Sequence, residues 1–421
     1  MNIIADLHIH SRYSRACSQD LMPGNIAVWA DRKGLGVIGS GDFTHPGWLA
    51  DLKGALAEKA PGLYGLRDNS AKALFLLSAE ISSIYKQGDK VRRVHNLVLA
   101  PDFQAVDRII RSMERLGANL KSDGRPITGI KCPDLVKLVK DSDSRCAIVP
   151  AHVWTPHFGV FGSLSGFDSI EEAFGEEAEN IFALETGLSS DPKMNWQISS
   201  LDRFPLISNS DAHSLRKIGR EANVFDVPQV ELSFAALLSR IAAKDPKEFL
   251  YTIEFFPEEG KYHLDGHADC RFSCLPSETA KLKETCPKCG KKLLVGVLNR
   301  VGSLGDREYG YAQDGAVPFR SLVPLEEIIA ETYGVGAGSK KVASTYMGMT
   351  DIRPEFEILL NSTKEEISGL SDVAVAESVM RVREGKLHIE GGYDGVFGKI
   401  KIYTDEERER LLRKAKQESL F

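Results

Sequence analysis

The stretch Asp6-Leu7-His8-Ile9-His10 constrains this chain more than any other. Residues two apart on a strand point the same way, so His8 and His10 can hold one metal ion while Leu7 and Ile9 turn toward a core. Asp6 falls on the imidazole side too, either to ligate or to orient a histidine. A solvated strand face is the plain alternative, and it makes poor use of three alternate titratable positions. Such a motif needs further ligands.

They recur at the ends of later apolar runs. Gly36-Val37-Ile38-Gly39 leads to Asp42 and His45, Ala73-Leu74-Phe75-Leu76-Leu77 to Glu80, and Val94-His95-Asn96-Leu97-Val98-Leu99 carries an imidazole inside the run. Ala147-Ile148-Val149-Pro150 precedes His152, Phe182-Ala183-Leu184 precedes Glu185, and Phe204-Pro205-Leu206-Ile207-Ser208 precedes Asp211 and His213. In a barrel of parallel strands such positions converge on the carboxyl-terminal face, where active sites are built. One buried histidine is more often a satisfied core residue, but the recurrence outweighs that reading.

Composition narrows the class. A chain of 421 residues with 43% hydrophobic content supports a substantial core and two or three domains. The chain enters strand-like sequence at once, without a charged leader or apolar signal core, and no apolar run reaches membrane-spanning length, so a soluble cytoplasmic protein is expected. A net charge of −6 gives no hint of nucleic acid, though a local basic patch and bound cations can bind phosphates within an acidic protein. The cysteines number 7, which argues against a disulfide framework. Four of them stand in metal spacing: Cys270-x3-Cys274, then Cys286-Pro287-Lys288-Cys289-Gly290. Two close pairs across a short loop suit a tetrahedral structural Zn2+ that supplies folding energy to a small segment. His263 and His267 lie nearby and could replace one thiolate, but the four cysteines complete the shell, which leaves both histidines as surface residues. Cys132 and Cys146 lack metal spacing and read as core or near-surface thiols.

Local signals place several elements. Asn25–Lys33 is helical by period with Gly34 as its stop; Trp48 to Glu58 is a candidate helix; Asp102 to Leu116 is amphipathic, with Val106, Ile109, Ile110 and Met113 inward. A helix runs from about Val230 to Lys244, broken by Asp245-Pro246, and Thr404 with Glu407 forms a capping box before a last helix. Between Val153 and Asp168, Trp154, His157, Phe158, Phe161 and Phe167 could stack on a base drawn out of a duplex, or bury one another in a satellite core. Arg216, Lys217 and Arg220, beside the Asp211 motif, and Lys288, Lys291 and Lys292 of the cysteine module are candidates for a DNA backbone. The turn Gly334-Val335-Gly336 resembles a helix–hairpin–helix turn with Lys340 and Lys341 behind it, and it lacks the Gly-Lys-Ser or Gly-Lys-Thr of a nucleotide P-loop.

The ordered motifs from Asp6-Leu7-His8-Ile9-His10 through Asp42, Glu80, His95, His152 and Ser210-Asp211-Ala212-His213 resemble the polymerase and histidinol phosphatase (PHP) superfamily over roughly residues 1–215. More narrowly, Gly39-Ser40-Gly41-Asp42-Phe43-Thr44-His45-Pro46-Gly47-Trp48, Pro150 to Pro156, Gly162 to Ser169 and the cysteine module resemble the endonuclease Q family over nearly the whole length. The resemblance implies an α/β fold: a distorted seven-stranded β/α PHP barrel (1–245), a small four-cysteine zinc module with flanking strands (246–320), and a mainly helical DNA-binding region (321–421). It also implies hydrolysis of the DNA phosphodiester 5′ of deaminated bases (uracil, hypoxanthine, xanthine) or abasic sites, and no local motif spells that preference.

By the same resemblance, His8, His10, Glu80 and Asp211 form one metal site, Glu80 bridges to a second held by His95 and His152, and His213 with Asp42 makes a third. Many relatives have histidine directly after the aspartate; here Phe43 stands there, so either Asp42 or His45 is left to serve the third site. Glu185 is expected to support a ligand rather than bind metal. Nitrogen-rich ligation favours zinc, manganese or iron, although phosphate oxygen and water could complete a magnesium shell. The carboxyl-terminal Gln417, Leu420 and Phe421 resemble the start of a sliding-clamp-binding peptide. Two rivals use the same residues: a phosphomonoesterase of a histidinol-phosphate-like metabolite, and a DNA-binding protein with a vestigial metal site. The first leaves the zinc module unexplained, and the nearly complete ligand set argues against the second.

Overall fold

The computed structural model describes residues 2–418, with side chains through residue 413. Seven strands carry the apolar runs: β1 (Asn2–Asp6), β2 (Val37–Gly39), β3 (Leu74–Gln87), β4 (Lys90–Ala100), β5 (Ala147–Pro150), β6 (Leu184–Glu185) and β7 (Leu206–Ile207). β1, β2 and β3 are parallel neighbours. β4 runs antiparallel to both β3 and β5, and β6 and β7 pair in parallel. The Phe182 N–H donates to Ile148 O at 2.9 Å beside β5, and Ile9 bridges Ala212, which returns the chain from β7 to the end of β1.

This succession explains the continuous apolar character of the strands. One alternate set, Ala5, Val37, Leu76, Leu97, Val149, Ala183 and Ile207, belongs to a single buried cluster. The other set, including Ile38, Phe75, Val98, Ile148 and Leu184, packs with the helices in a second. Strands buried on both faces must be apolar at every position. The expected all-parallel arrangement is corrected at β3 and β4. Gly88, at φ +59°, and Asp89 close a two-residue hairpin between Gln87 and Lys90, so β4 comes straight back beside β3.

The helices follow their caps. Helix α1 (Pro23–Lys33) ends at Gly34 in the left-handed region, and α2 (Pro46–Ala55) stops where Leu56–Ala60 becomes a strand, earlier than the period suggests. α3 (Phe103–Arg115) is capped by Asp102 and buries Val106, Ile109 and Met113, with Ile110 only partly covered. α4 (Cys132–Ser142) starts at a buried cysteine. Ser233 caps α5 (Phe234–Ala243), which leaves Val230 95% exposed and outside the helix.

The main sheet continues past residue 245. β8 (Ala222–Asp226) lies antiparallel to β1, β9 (Phe249–Glu254) antiparallel to β8, and β10 (Phe319–Ser321) parallel to β9. From Leu325 the chain is helical up to a hairpin, His388–Glu390 with Lys399–Lys401, and a last helix whose start is fixed by reciprocal bonds of Thr404 and Glu407. Two helices there, α6 (Leu325–Tyr333) and α7 (Lys340–Thr350), flank the Gly334 turn. Lys33 of α1 reaches Glu355 at 2.6 Å, both side chains nearly fully buried, and so ties this region to the first helix of the chain. Among the described residues no helix is long and apolar enough to cross a membrane.

Candidate metal centre

His8 and His10 lie just past β1 and are fully buried. Each is held from behind through Nδ1. Glu185 stands 3.0 Å from His8 Nδ1, and Asp42 stands 3.0 Å from His10 Nδ1. Both Nε2 atoms are thereby turned toward Glu80 and Asp211: His8 Nε2 lies 3.9 Å from Glu80 and 3.8 Å from Asp211, and His10 Nε2 lies 3.4 Å and 3.0 Å from the same two carboxylates. His10 faces Glu80 Oε2, whereas Oε1, on the side of His8, is approached by His95 Nδ1 at 2.6 Å and His152 Nε2 at 3.0 Å. The ligand atoms thus fall into two groups, His8, His10, Glu80 and Asp211, and Glu80, His95 and His152, sharing Glu80.

These residues fit a pair of divalent cations. His8 Nε2, His10 Nε2 and Asp211 Oδ1, all of the first group, are buried without a hydrogen-bond partner. Such atoms are costly unless another ligand completes them. Separations of roughly 3–4 Å are those of ligands sharing one ion at about 2.0–2.2 Å. The backbone is also forced: Asp42, His152 and Asp211 adopt φ of +47°, +32° and +48°, in the left-handed region that non-glycine residues avoid.

The electrostatics follow from burial against charge. Burial alone would push His8 down, but Glu185 first, then Glu80 and Asp211, raise it to about 9. Burial opposes a charged His10 as well, and Asp42, Asp211 and Glu80 carry it well above its usual value. His95 goes the other way, to about 4, because burial outweighs Glu80. Burial also works against the Glu80 carboxylate, yet the surrounding imidazoles and Arg125 hold it well below its ordinary range.

Several expected ligands have other tasks. Asp42, expected at a third site, has both oxygens engaged within the fold: Oδ1 faces His10 Nδ1, and Oδ2 accepts from the Ser11 N–H at 2.6 Å and from the Ser11 and Ser14 hydroxyls. His45 caps α2 by accepting from the Trp48 N–H and stacks on Tyr13. His213 packs tilted against His10, ring centroids 4.6 Å apart at 59°, and lies outside both groups. No third group with Asp42, His45 or His213 assembles among the described residues. Asp6, raised to about 6 by burial, accepts from Ser210 N–H and Oγ and from Gly219 N–H, and also from the backbone of His8; it braces the segment bearing Asp211 against the one bearing His8. Glu185 stands behind the candidate ligand His8, and its second oxygen accepts the His152 N–H at 2.9 Å.

Two structures place this arrangement in a family. The crystal structure of the lesion-specific endonuclease PfuEndoQ from Pyrococcus furiosus is similar at a TM-score of 0.85 and 29% identity, over 98% of this chain and 97% of that one. The structure of endonuclease Q with a 27-mer duplex substrate carrying an abasic lesion at the active site is similar at a TM-score of 0.84 and 30% identity, over 97% of this chain and 98% of that one. The chain belongs to the endonuclease Q family. Residues 324–386 match the model of the MJ0043 C-terminal domain. The uncharacterized protein MJ0043 of Methanocaldococcus jannaschii is 32% identical over 253 residues, 59% of this chain, and the match spans 31% of that protein.

Outside the centre, this endonuclease Q family member departs from its sequence-based expectations in three places. In the cysteine module the clustered ligands are His267, Cys270, Cys286 and Cys289. Cys274 is not among them; its Sγ lies 3.2 Å from Thr279 Oγ1. The strand Asp265–His267 pairs with Phe272–Cys274 and delivers His267 where the fourth thiolate was expected. His263 is buried, not a surface residue, with Nδ1 unpartnered.

The basic candidates near Asp211 are largely engaged: Arg216 pairs with Glu326 at 2.9 Å, Lys217 with Glu327 at 2.7 Å, and Arg220 donates to Ser210 O. Lys288 donates to Cys270 O, Lys292 meets Glu284, and Lys341 lies over the Tyr333 ring, while Lys291 and Lys340 are exposed. The aromatic segment buries its own rings: Trp154 packs on Phe161 and donates to Asn195, Arg92 covers Phe167, and Phe158 stacks on His95. Gln417 has no described side chain, and Leu420 and Phe421 lie outside the described residues.

Proposed function

We propose that this protein is a metal-dependent DNA repair endonuclease that hydrolyses the phosphodiester 5′ of a deaminated base (uracil, hypoxanthine or xanthine) or an abasic site. The observation that carries the reading is Glu80, fully buried and shared by two groups of candidate ligand atoms, the first of them with His8 Nε2, His10 Nε2 and Asp211 Oδ1 unpartnered, in a chain whose near-complete structural match is an endonuclease Q holding an abasic duplex. Divalent ions held by His8, His10, Glu80 and Asp211 and by Glu80, His95 and His152 would supply an acidified water and charge neutralisation at the phosphate. Zn2+, Mn2+ and Mg2+ are the candidates.

The protein's own contribution is positioning. Glu185 and Asp42 fix the tautomer and tilt of His8 and His10, so both present Nε2 to the same point. Burial keeps His95 neutral near pH 7 and ready to donate its lone pair. The set performs in-line hydrolysis without a covalent intermediate on the chain. The exposed lysines Lys291 and Lys340 and the family match over nearly the full length support damaged DNA as the partner. A zinc ion in the His267, Cys270, Cys286 and Cys289 cluster would act structurally, holding two short strands and a loop together.

The test is end-labelled duplex containing one deoxyuridine, deoxyinosine or abasic site, incubated with enzyme and manganese or magnesium beside an undamaged duplex and a His8→Ala/His10→Ala variant. A single nick 5′ of the lesion, absent from both controls, is expected. Intact damaged DNA together with hydrolysis of a small phosphomonoester would instead make the chain a phosphomonoesterase.

A further inference from the structure

Arg125 has no place in the ligand set, yet its guanidinium reaches into it. Nη1 lies 3.0 Å from Glu80 Oε2, the carboxylate shared by both groups. Among the described residues this is the only side-chain hydrogen bond that Arg125 makes, so most of its planar fork has no protein acceptor. The side chain is 23% exposed, whereas that of Glu80 is 0% exposed; the cation stands at the mouth of the centre.

Its backbone is clamped on both sides. The Gly124 N–H donates to Tyr13 O at 3.0 Å, and Pro126 O accepts the Ser82 N–H at 3.0 Å. Gly124 packs so closely that a β-carbon there would collide with Asp42 Oδ2 and Ser14 Oγ. The segment is therefore fixed to the loop that follows His8 and His10 and to β3, the strand that carries Glu80.

Charge decides what such an arginine is for. Two divalent ions would bring four positive charges to the four carboxylates Glu80, Asp211, Glu185 and Asp42, and Arg125 adds a fifth that none of them offsets. A guanidinium cannot shed its proton to relieve this. It is tolerable only if anionic oxygens arrive with the ions, and a planar fork matches two phosphate oxygens better than an ammonium does.

We propose that Arg125 is a catalytic residue that binds the nonbridging oxygens of the scissile phosphate, with Glu80 occupying it until metal and DNA are bound. The inference rests on the nuclease reading above and adds the group that grips the reacting phosphate. Donors aimed at developing phosphate charge are worth about 100-fold or more in rate.

The test compares wild type, Arg125→Gln, Arg125→Lys and Arg125→Ala in single-turnover nicking of a lesion duplex at saturating Mn2+. Alongside it, Mn2+ is titrated into the DNA-free proteins, and inorganic phosphate into the Mn2+-loaded ones. Arg125→Gln should nick about 100-fold slower and bind phosphate at least about tenfold more weakly while holding the same number of Mn2+ ions no less tightly. Arg125→Lys should fall between, and added guanidinium should restore part of the Arg125→Ala rate. Nicking and phosphate affinity within threefold of wild type in Arg125→Gln would overturn the proposal. So would a slow variant that has lost Mn2+, since Arg125 would then be a support of the ligands. If wild type does not nick lesion DNA, the nuclease reading fails, and the phosphate titration still decides whether Arg125 holds the anion.

Discussion

Asp42 Oδ1 sits 3.0 Å from His10 Nδ1 on the side of the ring away from the cluster, so the carboxylate sets the direction of a nitrogen that it never touches. Asp42→Asn removes the charge that raises His10 and holds its tautomer. Metal affinity should fall by about 10–100-fold while the number of ions bound at saturation is unchanged. Calorimetric titration checks this; a loss of one ion per chain would make Asp42 a ligand.

Metal binding should expel protons. With His8 at about 9 and His10 well above its usual value, both rings carry protons at pH 7 in the metal-free protein, and an imidazole must be neutral to ligate. Affinity should therefore rise with pH through about 9 and level off only once both rings are neutral. Calorimetry of Mn2+ binding in two buffers of different ionisation enthalpy reads the protons directly. An uptake independent of buffer at pH 7 would mean that both histidines are already neutral.

Behind Glu185 lies a second acidic pair. Glu254 is fully buried, accepting from Thr186 and Ser208, and burial followed by the Asp191 charge raises it to about 8; burial and Glu254 raise Glu221 well above its usual value. A carboxyl raised in the fold stabilises it below its unfolded pKa near 4.5, and that contribution is lost as pH climbs through about 8. Glu254→Gln should flatten the fall in urea stability between about pH 4.5 and 8. A slope identical to wild type would show Glu254 ionised in the native state.

The cysteine module separates two ligand sets by mutation. His267→Ala should lose the bound zinc and lower the melting temperature, whereas Cys274→Ser should keep one zinc per module, because Cys274 meets Thr279 and not the cluster. Zinc content by mass spectrometry decides, and the opposite pattern would restore the four-thiolate arrangement.

The residues that reveal themselves in sequence are those whose roles repeat locally. Continuous apolar runs mark β1 to β7 because both faces of those strands are buried, and each ligand of the two groups stands in or just after such a run. Gly34 and the Thr404–Glu407 pair are equally local signals. What escapes is long-range. Asp42 looks like a ligand until its partner 32 residues earlier is brought beside it. Arg216 and Lys217 look free until Glu326 and Glu327, 110 residues later, neutralise them. Arg125 follows no apolar run and has no motif. Gly88-Asp89 was the one short-range cue to the antiparallel β4, and His267-x2-Cys270, mirroring Cys286-x2-Cys289, was the one cue to the fourth zinc ligand.

The left-handed backbone at Asp42, His152 and Asp211 has a consequence for how such a chain can change over generations. Each of these residues costs roughly 1–3 kcal/mol that a glycine would largely avoid. Replacement of His152 or Asp211 by glycine removes a ligand and relieves that strain in one step. Loss of the centre is thus the downhill direction for this fold, and only a requirement for the reaction keeps the three side chains in place.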